Sequence, residues 1–118
     1  EASLIGVVTS QVRVPAAVVV DNPRPAEFVQ VTRVGGPSGM ITDSPMVTFF
    51  VWGPDWASAQ SLGALTRRRV HSVTRLEDHP VYRVREVGGL SRAPDPVDGS
   101  PRYQFTVEFK LRGSMPPE

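Results

Sequence analysis

Val31-Thr32-Arg33-Val34-Gly35-Gly36-Pro37-Ser38 and Val84-Arg85-Glu86-Val87-Gly88-Gly89-Leu90-Ser91 are nearly the same string, met twice in one chain. Each is a short valine-containing, strand-like run, and a Gly-Gly pair follows. Each leads through a Gly/Pro-rich loop to a Ser-Pro pair that opens a second strand-like run. The first is Ser44-Pro45-Met46-Val47-Thr48-Phe49-Phe50-Val51-Trp52, the second Ser100-Pro101-Arg102-Tyr103-Gln104-Phe105-Thr106-Val107. The glycines are expected to adopt positive φ where the chain leaves the strand. A phosphate-cradling loop needs a helix N-terminus directly after its glycines, and here a strand follows. Similar hairpin chemistry accounts for the likeness without a duplication. The unit implies a scaffold displaying two shaped loops rather than a pocket enzyme.

The runs around these units set the rest of the fold. Met46–Trp52 is apolar on both faces, with Val47, Phe49 and Val51 on one and Met46, Phe50 and Trp52 on the other. A strand of that kind is central, or its outer face meets another subunit. Tyr103, Phe105, Val107, Phe109 and Leu111 alternate with polar residues, so that strand is buried on one face only. Gly53-Pro54-Asp55 breaks the chain between the two units, and Asp55 is placed to cap a helix. That helix is predicted from about Trp56 to Val73, burying Ala59, Leu62, Thr66, Val70 and Val73 with Leu65 beside them. Gly63 costs about 1 kcal/mol of helix propensity relative to Ala, which close packing on the sheet would justify. Arg67, Arg68 and Arg69 suit the C-terminal half of the helix, where its dipole favours cations.

Ahead of the first unit, Leu4, Ile5 and Val8 share a helical face within Glu1–Ser10. Val12, Val14, Ala16, Val18 and Val20 alternate as a strand, placed at a sheet edge because Pro15 cannot donate to a ladder. Asp21-Asn22-Pro23-Arg24-Pro25 is a turn, Glu27–Val34 a strand, Glu77-Asp78-His79-Pro80 a loop and Val81–Val87 a strand ended by the second Gly-Gly. The expected fold class is α+β. One domain spans residues 1–113, with a five-stranded, mostly antiparallel (mixed) sheet, a short N-terminal helix and one long helix packed on one face. Residues 114–118 form a flexible tail. A helix of about 18 residues spans ~27 Å, close to the ~23 Å of a seven-residue strand. It therefore carries the chain back along the sheet, makes the Val81 strand parallel to the Met46 strand, and puts loops 37–43 and 90–99 at opposite ends.

Composition narrows the function. A chain of 118 residues is sized for one core. A net charge of +1 gives no strong attraction to nucleic acid. The basic residues are arginines apart from Lys110, and arginine suits interfaces better than lysine. The absence of cysteine removes disulfides and thiol chemistry. His71 and His79 are the only histidines and lack the spacing of a metal site, so no metal and no cofactor is expected. Asp43, Asp95 and Asp98 sit in loops, where aspartate serves turns. Ser44 and Ser100 precede prolines without the surroundings of a nucleophile, and no enzyme activity is expected. Arginines at three successive helical positions fan around the axis and do not make one phosphate patch. No apolar run approaches the ~20 residues of a membrane span, and Leu4–Val8 lacks the basic leader of a signal peptide.

The surface remains: a strand apolar on both faces, Trp56 just after it, and two long loops of a kind more often functional than filler. These features describe a self-associating module. Arg33-Val34-Gly35-Gly36-Pro37, then Thr42-Asp43-Ser44-Pro45-Met46-Val47-Thr48 and the aromatic strand end at Trp52, resemble the tail terminator proteins of long-tailed bacteriophages of actinobacteria. Tyr82–Gly89 and Asp98–Val107 carry the same resemblance, which covers about Val12 to Gly113. It implies a virion protein whose hexameric ring caps the tail tube, stops its polymerisation and meets a head-side connector. The partners implied are further copies of the chain, the tail tube protein and the connector, with DNA passing as unread cargo and no membrane. Assembly would take place in the host cytoplasm.

A closed ring has a heterologous interface. Met46, Phe50, Trp52 and Trp56, with Arg67, Arg68 and Arg69, are the expected subunit contacts. Pro37, Ser38, Gly39, Met40 and Asp43 on one loop, and Arg92, Pro94, Asp95 and Asp98 on the other, are the expected contacts to rings above and below. A head-closure or neck connector protein of the same virion, and a monomeric binding domain or small enzyme, stand as the alternatives.

Overall fold

The computed structural model describes residues 2–17, 25–34, 45–76 and 79–111. Its strands are β1 (Ala16–Ala17), β2 (Phe28–Val34), β3 (Met46–Trp52), β4 (Arg75–Leu76), β5 (His79–Arg92) and β6 (Arg102–Leu111). Five of them form the expected mixed sheet in the order β1-β2-β3-β6-β5, and β4 adds a two-residue rim to the start of β5. β1 runs parallel to β2, and the other pairs are antiparallel. Helices α1 (Ala2–Val7) and α2 (Trp56–His71) complete an α+β domain.

α2 forms where the sequence places it. Asp55 is extended and its carboxylate accepts the Ser58 backbone N–H at 2.7 Å, meeting one of the amides that a helix start leaves free. That bond, joined by the Ser58 side chain, holds the Asp55 carboxyl below its ordinary range. Ala59, Leu62, Gly63, Thr66 and Val70 are buried, which is the predicted stripe. The buried Thr66 hydroxyl donates to the Leu62 carbonyl at 2.8 Å, so its polarity is satisfied within the helix. At the far end the Ser72 hydroxyl donates to the Arg69 carbonyl, and the helix stops short of Val73. A Cβ on Gly63 would lie 3.0 Å from Leu90 Cδ1 and 3.6 Å from Tyr103 Cβ, the close packing its sequence position implied.

The core lies between α2, the N-terminal segment and one face of the sheet. Val29, Val31, Val47, Phe49, Val51, Phe105, Val107 and Phe109 meet Leu4, Val8, Val12, Val14, Leu62 and Val70 there. Phe49 and Phe105 stack with centroids 4.9 Å apart and planes at 11°.

Several sequence expectations change, among them His79 and Pro80, expected in a loop, which open β5 and pair with β4. Val12–Val20 is not one strand. α1 continues through a π-helical turn over Val8–Val12, closed by the Arg13 N–H on the Val8 carbonyl at 3.0 Å, and Arg13 turns the chain at φ 67°. Leu4, Val8 and Val12 are spaced by four, a helical repeat that competed with the alternation and won. β1 keeps only Ala16–Ala17, at the edge as Pro15 required, while Val18 and Val20 lie outside the described residues. Nor does the second Gly-Gly end its strand. β5 runs through Gly88 and Gly89 to Arg92, with register shifts on both sides of Gly88, so the pair serves as a bulge. Positive φ falls instead on Gly99, at 72° in the following loop. The loop is accordingly 93–101 rather than 90–99, and Leu90, Ser91 and Arg92 belong to the sheet.

The strand directions are those the long helix implied. β3 and β5 both run antiparallel to β6, which lies between them, so they point the same way. The β2–β3 hairpin closes beside the Val34–Met46 pair, whereas the loop after β5 lies beside the Trp52–Arg102 pair at the other end.

Gly53, at the junction of β3 and α2, carries the tightest approach. A Cβ there would sit 2.5 Å from Ala59 N, 2.8 Å from Ala59 Cα and 3.0 Å from Ser58 C. All three are backbone atoms of the first turn and have no flexible way out. Gly53→Ala is expected to lower stability by about 1–3 kcal/mol, as overpacking does, and a thermal melt unchanged from the wild type would contradict this packing.

Candidate functional site

The residues expected to make contacts gather at three places. The first is the end of the sheet closed by loop 93–101. Asp95 ties this loop to itself and to β3: its Oδ1 accepts the Val97 N–H at 2.9 Å and its Oδ2 accepts the Trp52 indole N–H at 3.0 Å. Asp98 Oδ1 accepts both the N–H and the hydroxyl of Ser100, and Gly99 N–H closes on the Asp95 carbonyl at 2.7 Å. Aspartates that spend their oxygens on turn amides hold a loop in shape. Pro94 and Asp98 remain exposed on it.

Two arginines flank this loop, one on each face of the sheet. Arg92, at the end of β5, sits over the Trp56 ring at 4.4 Å and donates Nε–H to the Tyr103 hydroxyl at 3.4 Å. Trp56 in turn meets Tyr103 edge-on at 5.8 Å. Arg102, at the start of β6, sits over Phe50 at 4.4 Å and Trp52 at 5.4 Å and donates Nε–H to the Ala93 carbonyl at 2.7 Å. Burial lowers the Arg102 pKa, and the nearby Asp95 charge opposes that shift. Trp52 itself is 1% exposed, packed at 5.8 Å against Phe28. The chain's own Phe28, Arg102 and Asp95 lie against it.

The second place is the sheet face away from the helices. Thr32, Thr48 and Thr106 stand opposite one another across β2, β3 and β6, and the row ends at Gly88 of β5. The Thr48 and Thr106 hydroxyls hydrogen-bond at 2.7 Å. Met46 and Phe50 lie half-buried on either side of the row, so of the predicted outer-face contacts these two are open to a neighbour.

The third place is the C-terminal half of α2. Arg67 is taken up within the chain: it pairs with Glu86, whose Oε1 also lies 3.2 Å from His71 Nε2. The Arg67 hydrogen bond holds the Glu86 carboxyl below its ordinary 4.5. The stability this pair adds is therefore present above pH 4.5 and fades as pH falls through the lowered value. With Arg67 44% exposed, screening keeps the contribution small. Arg68 and Arg69 are exposed. Pro37, Ser38, Gly39, Met40 and Asp43, the other predicted loop contacts, lie outside the described residues.

Among the described residues no group of three His, Cys, Asp or Glu side chains gathers where it could hold a metal ion. A shallow open groove of about 390 Å³ runs beside α2, lined by Glu27, Ala57, Ser58, Ser61, Leu62 and Leu65. It has one carboxylate and no second titratable partner. Among the described residues no helix is long and apolar enough to cross a membrane. Sequence reasoning missed the arginine–aromatic stacks. Their signal was available: aligning the two Ser-Pro runs as antiparallel neighbours puts Arg102 opposite Trp52.

No known protein-family model matches this chain, and no curated protein matches it.

Proposed function

We propose that this chain is a structural virion protein, a tail terminator whose ring, six-membered as in the family it resembles, caps the tail tube and joins it to a head-side connector. The observation that carries the reading is the placement of the two hairpin ends at opposite ends of one sheet. A subunit built so can meet one partner below and another above. The half-buried threonine row and the exposed Arg68 and Arg69 of α2 supply surfaces for neighbours in the ring. The repeated strand–Gly-Gly–Ser-Pro motifs support the same reading. With Trp52 buried and Arg67 paired with Glu86, the half-buried Met46, Phe50 and Trp56 and the exposed Arg68 and Arg69 are the proposed lateral contacts.

Native mass measurement and tail-tube capping test this together. The purified chain is expected to assemble to a mass several times its own and to bind the ends of headless tails. A chain that stays monomeric at high concentration and caps nothing, or that binds heads instead of headless tails, overturns the reading. Arg68→Glu combined with Arg69→Glu is expected to shift the assembled mass toward monomer. The melting temperature should fall only modestly, since reversing each charge at the helix C-terminus costs about 0.3–1 kcal/mol, so the monomer stays folded.

A further inference from the structure

Arg102 carries donors that its own fold leaves unspent. Its Nε–H is used on the Ala93 carbonyl, and its guanidinium sits over Phe50 and Trp52. Among the described residues no hydrogen bond reaches Nη1 or Nη2, and no carboxylate forms an ion pair with it. The nearest acid cannot turn to it without undoing the loop. Asp95 has given Oδ2 to the Trp52 indole and Oδ1 to the Val97 amide. The result is a half-buried cation that has lost part of its water and is fixed in place by two rings, with the Asp95 charge nearby but no carboxylate oxygen bonded to its Nη groups among the described residues. Such a group gains most from a partner that brings charge and acceptors together.

From this arrangement we infer that Arg102 receives a carboxylate from a protein partner, an aspartate or glutamate side chain with an apolar neighbour. The two Nη groups offer parallel N–H bonds in one plane, which match the two oxygens of a carboxylate. The half-buried Phe50 beside it takes the apolar neighbour. Gln104, which pairs with Phe50 across the ladder, stands on the same face. A nucleic-acid strand fits less well, because it brings several successive phosphates past Asp95 and Asp98 on the adjoining loop, whereas a partner side chain brings a single negative charge. The contact does not depend on ring formation, so it can hold on an isolated chain if the terminator reading fails.

The test is a nuclear magnetic resonance titration of the full chain with two blocked tripeptides, acetyl-Leu-Glu-Leu-amide and acetyl-Leu-Gln-Leu-amide. The glutamate peptide is expected to shift the Trp52 indole N–H and the Arg102 side-chain resonances, with the glutamine peptide binding about tenfold more weakly. Arg102→Gln should abolish the difference between the peptides. Arg102→Lys, which keeps the charge without the fork, should weaken glutamate binding while the backbone spectrum stays native, and it carries the comparison if Arg102→Gln fails to fold. Equal shifts from the two peptides, unchanged affinity in Arg102→Lys, or tighter binding of a short DNA duplex than of the glutamate peptide overturns the inference.

Discussion

Phe49→Ala is expected to destabilise the chain by about 3–5 kcal/mol, the usual cost of emptying a buried aromatic site. Phe49 is fully buried on the helix side of β3, stacked on Phe105. It lies between Val31 of β2 and Phe105 of β6 in the ladder. Hydrogen-bonded strands on both sides fix the backbone around the hole, so the site has little freedom to collapse, and cavities that cannot collapse are the costly ones. The lost ring pair adds its own part, about 0.5–1.5 kcal/mol in aromatic pairs generally. Against a net stability of about 5–15 kcal/mol for a domain, this one change removes a large share. Urea denaturation should show a lower midpoint at an unchanged slope. Phe50→Ala is the control on the same strand: its ring is half-buried on the other face, and the loss should be distinctly smaller. Equal losses from the two would mean that the core is not on the side described here.

How much of this was legible beforehand varies with the kind of signal. α2 was readable because three independent cues agreed: the Asp55 cap, the stripe from Ala59 to Val70, and the break at Gly53-Pro54. β6 was readable because its apolar residues alternate without interruption, β3 because it is an apolar run bounded by Pro45 and Gly53, and β2 because Val29 and Val31 share one face of a run rich in β-branched residues. The N-terminal segment misled because Val12, Val14 and Ala16 satisfy a period of two while Leu4, Val8 and Val12 satisfy a period of four. Only packing against α2 and the turn at Arg13 decides between them. The second Gly-Gly misled for another reason. Glycine marks backbone irregularity without saying whether the strand ends or bulges, and β5 bulges because β6 is long enough to hold it to Arg92. The contact residues were the least legible. A sequence pattern gives the face on which Trp52 stands, but not that Phe28, Arg102 and Asp95 converge on it from three other segments.

Trp52→Ala is expected to cost about 3–5 kcal/mol, in the range of other buried tryptophans, and to unsettle loop 93–101 in particular. The indole fills the space beside Phe28, lies under the Arg102 guanidinium and holds Asp95 Oδ2. Its removal leaves a half-buried arginine with one ring fewer beneath it and a carboxylate with one oxygen unpaired. Asp95 is then free to turn, and the Val97 and Gly99 amides that close on Asp95 should lose protection in hydrogen exchange ahead of the β6 amides. Trp52→Phe separates the two parts of the effect. It keeps most of the apolar volume and loses the N–H, so the stability loss should fall toward the ~1 kcal/mol of a single hydrogen bond while exchange at Val97 still rises. A tryptophan reserved for a neighbouring subunit would behave differently: Trp52→Ala would then leave the melting of dilute, unassembled chain unchanged and alter assembly alone. Thermal denaturation of the monomer at low concentration distinguishes the two, and a large fall in melting temperature there assigns Trp52 to the fold of its own chain.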